Sequence, residues 1–174
     1  CIFNDLAICA IKSIKDYKKI NNVLIIDLDV HQGDGTATIL KNHRNIFTFS
    51  MHCENNFPLK KMKSDLDIPL AKGMKDNQYL DILQKNIKIL KRRKFDLVLF
   101  QAGVDILHQD SLGYLNISRD GIKNRNEIVL EFASEKGLPL VVFMGGGYSK
   151  PIQHSVDAFV DLFIQCSNYA NMIN

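Results

Sequence analysis

Apolar runs alternate with amphipathic segments along the whole chain. Four nearly continuous runs of Val, Leu, Ile and Phe predict buried strands at residues 23–30, 46–51, 96–102 and 138–144. Apolar residues at helical spacing predict amphipathic helices at residues 5–19, 77–94, 119–136 and 156–166. Residues 53–73 contain two prolines and scattered charges, which predicts a long loop. Strands and helices in alternation are typical of a parallel sheet covered on both faces, so we predict a three-layer α/β/α fold.

The composition is that of one globular domain. The chain has 174 residues, of which 46% are hydrophobic and 24% are charged, and no linker or repeat divides it, so we predict a single domain over residues 1–174. The net charge of +3 is small, and most basic residues fall on helical faces, which gives no indication of nucleic-acid binding. No apolar run approaches the length of about 18 residues that a membrane span needs.

The cysteines bear on the compartment. Cys1, Cys9, Cys53 and Cys166 have no CxxC spacing, which indicates reduced thiols rather than a zinc knot or a disulfide framework. We therefore expect a cytoplasmic protein, or a nuclear one in a eukaryote. The chain begins at Cys1 rather than at a methionine, and we interpret it as a fragment of a longer protein.

Polar side chains occur at the end of the first predicted strand. Residues 25–35 read IIDLDVHQGDG, and in an extended segment Asp27, Asp29 and His31 would project toward one face. Each desolvated carboxylate on a buried strand costs several kcal/mol unless a cation or hydrogen-bond donors compensate. A divalent metal ion would supply that compensation. The alternative is a strand that opens into a solvated, glycine-rich loop in which the acids face water.

Two further strands also end in polar or glycine-rich loops. Residues 103–105 (GVD) follow the third strand and residues 145–148 (GGGY) follow the fourth. Because parallel strands bring their carboxyl ends to one edge of the sheet, Asp105 could complete an Asp/His/Asp site with Asp29 and His31. Three protein ligands leave room for water and substrate, as catalytic zinc sites require. Taken alone, Asp105 could instead be a helix N-cap or a turn residue, and the glycine triplet a flexible turn or a phosphate cradle.

These motifs and their order resemble one known family. Four segments resemble those of the histone deacetylase and acetylpolyamine amidohydrolase superfamily: residues 1–7 (CIFNDLA), 27–35 (DLDVHQGDG), 101–113 (QAGVDILHQDSLG) and 145–148 (GGGY). Gln32, residues 52–58 (HCENNFP) and residues 64–69 (SDLDIP) are most similar to its class IV branch and bacterial relatives. The resemblance covers nearly the whole chain and implies the arginase-like α/β fold, of which this chain would be the carboxyl-terminal part.

The resemblance also implies roles for individual residues. Asp29, His31 and Asp105 match the zinc ligands. Tyr148 matches the tyrosine whose hydroxyl polarises the acyl carbonyl and stabilises the tetrahedral oxyanion. The residues that match the substrate channel are Phe57, Gly146 and Gly147. The residues that match a structural site for a monovalent cation, usually potassium, are Asp27, Asp29, His31, Ser50 and Met51.

One feature of the family is absent from the sequence. Its adjacent pair of histidines, which act as general base and acid, lies shortly before the segment that matches residues 1–7, and no His-His pair occurs here. We expect the remaining histidines at the surface or in loops rather than at a catalytic position: His43, His52, His108 and His154.

The resemblance implies a zinc-dependent deacetylase that removes acyl groups from acyl-lysine of histones or other proteins, incomplete here because the histidine pair is absent. Upstream sequence or a second chain would supply the missing half. Two alternatives stay open: an acetylpolyamine amidohydrolase, and a truncated remnant that serves as an interaction module without catalysis. Arginase-like chemistry with two manganese ions agrees less well with a single histidine and two separated aspartates.

Overall fold

A five-stranded parallel sheet forms the centre of the molecule. The computed structural model describes residues 3–173, with side chains described through residue 171. The strand order is β3-β2-β1-β4-β5, and all neighbouring strands are parallel. The strands are β1 (Val23–Asp27), β2 (Ile46–Cys53), β3 (Leu66–Leu70), β4 (Leu97–Gln101) and β5 (Leu140–Phe143). The helices are α1 (Asp5–Asp16), α2 (Asp34–Leu40), α3 (Asp76–Leu90), α4 (Arg119–Glu135) and α5 (Gln153–Ile173).

Helices cover both faces of the sheet because successive strand residues point to opposite faces. Val23 and Ile25 of β1 pack in one apolar cluster with Leu6 and its neighbours on α1. Leu24 and Ile26 pack in a larger cluster with residues of α3, α4 and α5. The predicted three-layer α/β/α fold is therefore confirmed. Among residues 3–173, no helix combines the length and the apolar character needed to cross a membrane.

Two short elements were not predicted from the sequence. β3 lies inside the segment predicted as a loop, and α2, a helix of seven residues, follows soon after β1. β3 is an edge strand, a position that tolerates Pro69, and among its residues only Leu70 is buried. It pairs with residues 49–53 of β2, so β2 extends to Cys53 instead of ending at Met51.

Candidate metal centre

The carboxyl ends of β1 and β4 bring the predicted metal ligands together. The two strands are adjacent and parallel, with Asp27 opposite Gln101, so the loops that follow them leave the sheet at the same edge. Asp29 and His31 lie in the first loop, and Asp105 lies in the second. One detail of the prediction is wrong. β1 ends at Asp27, so the alternation of an extended strand does not reach Asp29 and His31.

Local hydrogen bonds, rather than strand alternation, orient the first two ligands. The Asp27 carboxylate accepts a hydrogen bond from the backbone N–H of Asp29 at 3.1 Å. The Asp29 carboxylate in turn accepts one from the backbone N–H of His31 at 2.9 Å. Each aspartate thus forms a turn with the residue two positions further on, as Asp side chains commonly do. These turns bring the Asp29 carboxylate and the His31 imidazole to Asp105.

Three potential donor atoms converge at this point. One ligand atom each from Asp29, His31 and Asp105 lies within 4.8 Å of the others. His31 Nδ1 lies 3.1 Å from Asp29 Oδ1 and 3.1 Å from Asp105 Oδ2. Backbone groups hold the remaining carboxylate oxygens, because Val30 N donates to Asp105 Oδ1 at 2.9 Å and Gly146 N donates to Asp29 Oδ2 at 2.8 Å. Two carboxylates and one imidazole at this spacing fit a divalent metal ion with an open coordination position.

Glycines occupy the positions where the backbone touches these carboxylates. A Cβ atom on Gly146 would lie 2.8 Å from Asp105 Cγ, and one on Gly103 would lie 2.6 Å from Asp29 Oδ2. The carbonyl oxygen of Gly146 also accepts a hydrogen bond from Asp105 N at 3.1 Å. Because Asp29 already uses the Gly146 N–H, the glycine triplet is better explained by close contact with the ligands than by a phosphate cradle.

Burial and mutual repulsion make the cluster hold protons when no cation is bound. Burial raises the pKa of Asp105 to about 7, and the charge of Asp29 adds to the rise. Burial also raises the pKa of Asp27 well above its usual value. Burial opposes the ionisation of Asp29, but hydrogen bonds with His31 and Asp105 hold its pKa below the usual range. Hydrogen bonds to Asp105 and Asp29 raise the pKa of His31 to about 10. A metal ion would displace these protons, since it binds carboxylates and neutral imidazole.

The residues predicted to bind a monovalent cation lie around β1 and β2. Asp27 and Ser50 are opposite each other in the strand register, and Ser50 and Met51 are buried. Ser50 Oγ shares a hydrogen bond with His52 Nδ1 at 2.9 Å. His52 is only 2% exposed, so the expectation of a surface or loop histidine is wrong at this position, because the longer β2 and its pairing with β3 enclose the side chain. Potassium binding stays a prediction.

Tyr148 is held by hydrogen bonds from the loop that follows Asp105. Asp110 Oδ2 accepts a hydrogen bond from Tyr148 N at 2.6 Å, and the Tyr148 carbonyl oxygen accepts one from Ser111 Oγ at 2.6 Å. The Tyr148 side chain itself is 53% exposed. Neither Asp110 nor Ser111 was predicted from the sequence, although the DSLG sequence at residues 110–113 is typical of a turn in which aspartate accepts backbone hydrogen bonds. Asp110 and Ser111 therefore hold the backbone of Tyr148 at the end of the glycine loop.

Phe57 lies on a loop whose backbone is fixed from two sides. Its side chain is 70% exposed. Lys61 Nζ donates to three backbone carbonyl oxygens of this loop at 2.6–3.0 Å. Asn56 Nδ2 donates to the carbonyl oxygen of Leu112 at 2.7 Å, which joins this loop to the one that holds the tyrosine. The contribution of Phe57, Gly146 and Gly147 to a substrate channel stays a prediction.

Known proteins share this sequence pattern. The histone deacetylase domain matches residues 1–163. An uncharacterized protein of Picosynechococcus sp. is 46% identical over 157 residues, which are 90% of this chain and 52% of that protein. Histone deacetylase 2 of Arabidopsis thaliana is 36% identical over 154 residues, which are 86% of this chain and 40% of that protein. The chain thus spans about half the length of the curated relatives it matches.

A solved structure shares the fold. The crystal structure of a histone deacetylase homologue complexed with SAHA matches with a TM-score of 0.78 and 28% sequence identity, over 92% of this chain and 45% of that chain. The domain match, the relatives and the shared fold all agree with the resemblance seen in the sequence motifs. The chain therefore belongs to the histone deacetylase and acetylpolyamine amidohydrolase superfamily.

Proposed function

We propose that this chain provides the metal-binding part of a zinc-dependent deacetylase that removes acyl groups from acyl-lysine. The observation that carries the proposal is the convergence of donor atoms from Asp29, His31 and Asp105 within 4.8 Å. Two carboxylates and an imidazole, with a position left for water and substrate, agree with a catalytic zinc site. Membership of the superfamily supports hydrolysis of an amide as the reaction.

The residues of this chain would act on the acyl group and on the ion. Asp29, His31 and Asp105 would hold the zinc ion. Bound zinc would supply a Lewis acid that polarises the acyl carbonyl and lowers the pKa of a water molecule. The Tyr148 hydroxyl would donate a hydrogen bond to the carbonyl oxygen and stabilise the negative charge that develops there. Asp110 would support this role by holding the Tyr148 backbone, since its carboxylate accepts the Tyr148 N–H.

The general base would come from polypeptide outside these 174 residues. The histidine pair of the superfamily does not occur in this sequence. His52 cannot replace it, because it is buried and shares a hydrogen bond with Ser50. We propose that a longer form of the protein or a second chain supplies the pair, since the relatives are about twice as long. General acid–base catalysis contributes about 10²–10⁴-fold to rate, so the isolated chain should bind metal but hydrolyse amides poorly.

The proposed substrate is an acyl-lysine side chain of a histone or another protein, and an acylated polyamine would require the same hydrolysis of a linear amide.

A potassium ion held around Asp27 and Ser50 would neutralise the buried Asp27 carboxylate, which supports the proposed structural cation. We propose a cytoplasmic location, or a nuclear one in a eukaryote, on the basis of the cysteine pattern.

Zinc content and hydrolysis of an acetyl-lysine peptide test the proposal. Both are measured for the wild type, for Asp105→Asn and for Asp81→Asn, a control at an exposed position on α3. Each protein is assayed alone and mixed with the part of the Picosynechococcus relative that this chain does not match. We expect stoichiometric zinc in the wild type and the control, loss of zinc in Asp105→Asn, and hydrolysis only in mixtures with an intact site. Zinc binding without hydrolysis in any mixture would support a metal-binding remnant, and a wild type without zinc would refute the metal site.

A further inference from the structure

Arg125 is a buried cation close to the metal centre, and none of the roles above explains it. It lies on α4, is 0% exposed and is among the largest fully buried side chains. Among the described side chains, no carboxylate forms an ion pair with it. A buried charge without an ion-pair partner is costly, so a hydrophobic residue of similar size would be the expected choice on a helix face that only fills the core.

The guanidinium of Arg125 binds the end of β4. Nη1 donates to the carbonyl oxygen of Gly103 at 2.5 Å. Nε and Nη2 both donate to Asn126 Oδ1, at 3.0 and 2.7 Å. The guanidinium carbon also lies 5.6 Å from the ring centroid of Phe100, on β4 itself. Arg125 therefore fixes the backbone at the start of the loop that leads to Asp105.

Gly103 connects Arg125 to two of the proposed metal ligands. A Cβ atom on Gly103 would lie 2.6 Å from Asp29 Oδ2 and 3.0 Å from Asp105 Oδ1, so this backbone is in contact with both carboxylates. Any shift of Gly103 would change the space between them. Burial lowers the pKa of Arg125, while the nearby Tyr79, Asp105 and Asp29 oppose that change.

We propose that Arg125 is a positioning residue for the metal centre. By holding the Gly103 carbonyl, its guanidinium keeps the two aspartate ligands at the separation that a metal ion requires. This role rests on the zinc site proposed above. An effect of charge alone would have the opposite sign, because a positive group repels a divalent cation and its removal would tighten metal binding. Loss of positioning would weaken metal binding, so the two explanations can be separated.

Zinc affinity, measured by competition with a chromophoric chelator, tests the proposal. We expect Arg125→Met to bind zinc about 10–100-fold more weakly, the range typical when a group that supports a metal ligand is lost. Arg125→Lys keeps the charge and a single donor group, so it should recover part of the affinity. Arg119→Met is the matched control. Arg119 lies on the same helix, is exposed and pairs with Asp157 and Asp161, so its replacement should leave zinc affinity unchanged.

Two further measurements separate positioning from a general loss of structure. Far-ultraviolet circular dichroism reports folding, and the visible absorption of the cobalt-loaded protein reports ligand geometry. A folded Arg125→Met protein with wild-type or tighter zinc affinity would overturn the inference. If Arg125→Met does not fold, Arg125→Lys decides: weaker zinc binding with an altered cobalt spectrum supports positioning, and wild-type values for both overturn it. A wild type that binds no zinc would refute the proposed metal site and this inference with it.

Discussion

Gly146→Ala is expected to displace Asp105, a proposed metal ligand, by adding a single methyl group. The Cβ atom would lie 2.8 Å from Asp105 Cγ and 3.2 Å from Asp29 Oδ2. Carbon atoms in contact are ordinarily about 3.5–4.0 Å apart, so the Asp105 carboxylate would have to retreat by roughly 1 Å. The substitution therefore tests whether close contact between the glycine loop and the two carboxylates forms the site.

The surroundings of Asp105 leave little room for that retreat. The residue is 0% exposed, its Oδ1 accepts a hydrogen bond from Val30 N at 2.9 Å, and its Oδ2 lies 3.1 Å from His31 Nδ1. Overpacking of a buried position by one methyl group typically costs about 1–3 kcal/mol. Disturbance of the groups that support a metal ligand typically lowers metal affinity about 10–100-fold. We expect both effects in Gly146→Ala.

Gly35→Ala provides the matched control. Gly35 lies in α2, and a Cβ atom there would meet only Asn4 Nδ2 at an ordinary contact distance of 3.4 Å. Alanine favours a helix by up to about 1 kcal/mol relative to glycine, so this variant should be at least as stable as the wild type. Urea unfolding of the metal-free proteins and zinc competition measure the two effects. If Gly146→Ala equals Gly35→Ala in both, the glycine loop relaxes freely and the reasoning is refuted.

Three further substitutions test the tyrosine, its support and the acid stability of the fold. Tyr148→Phe should leave zinc affinity unchanged, because Tyr148 is not one of the three proposed ligands, but should lower kcat for the acetyl-lysine peptide once the proposed histidine pair is supplied; an unchanged kcat would argue against its role. Asp110→Ala removes the acceptor of the Tyr148 N–H and of the backbone N–H groups of Leu112 and Gly113, so urea unfolding should show a loss of about 1–3 kcal/mol, and kcat should fall while zinc affinity is retained. Backbone hydrogen bonds from Asn21 and Asn22 lower the pKa of Asp96 from 3.8, so its contribution to stability is present above that pH and is lost as the pH falls below it. Asp96→Asn should therefore flatten the loss of stability as the pH falls through and below about 4 in urea titrations, and an unchanged slope would contradict this.

The centre of the sheet could be predicted from the sequence because β1 and β4 are buried on both faces. Such strands are continuous apolar runs, and the acids at their ends interrupt those runs conspicuously. Parallel strands in adjacent positions bring their carboxyl ends to one edge, which sufficed to predict that Asp29, His31 and Asp105 meet. The way in which they meet could not be predicted, since it depends on turns made by Asp27 and Asp29 after β1 has ended.

β3 could not be predicted because tertiary contacts, rather than its own sequence, stabilise it. Its five residues include Asp67 and Pro69, and four of the five are not fully buried. Gln32 Nε2 donates to Asp67 Oδ1 at 2.9 Å, and the backbone N–H of Ser64 donates to Asp67 Oδ2 at 2.7 Å. The first contact joins β3 to a segment 35 residues earlier in the chain, and the second joins it to the residues just before the strand. A pattern of apolar residues carries no information on them.

The burial of Arg125 could not be predicted from the sequence, because a charged residue at the start of a helix is ordinarily exposed. Residues 119–126 read RDGIKNRN, which resembles the exposed start of a helix, yet Arg125 lies three residues after Ile122 and four before Val129, on the buried face of α4. A charged residue in register with buried apolar ones conflicts with local preference, and proteins retain such conflicts mainly at functional sites. Buried Asp27 and Asp105 are conflicts of the same kind with the opposite charge. Without a cation, the cluster holds protons because the pKa of His31 and of Asp105 is raised, so a metal ion that replaces those protons should stabilise the folded chain and couple its stability to metal binding.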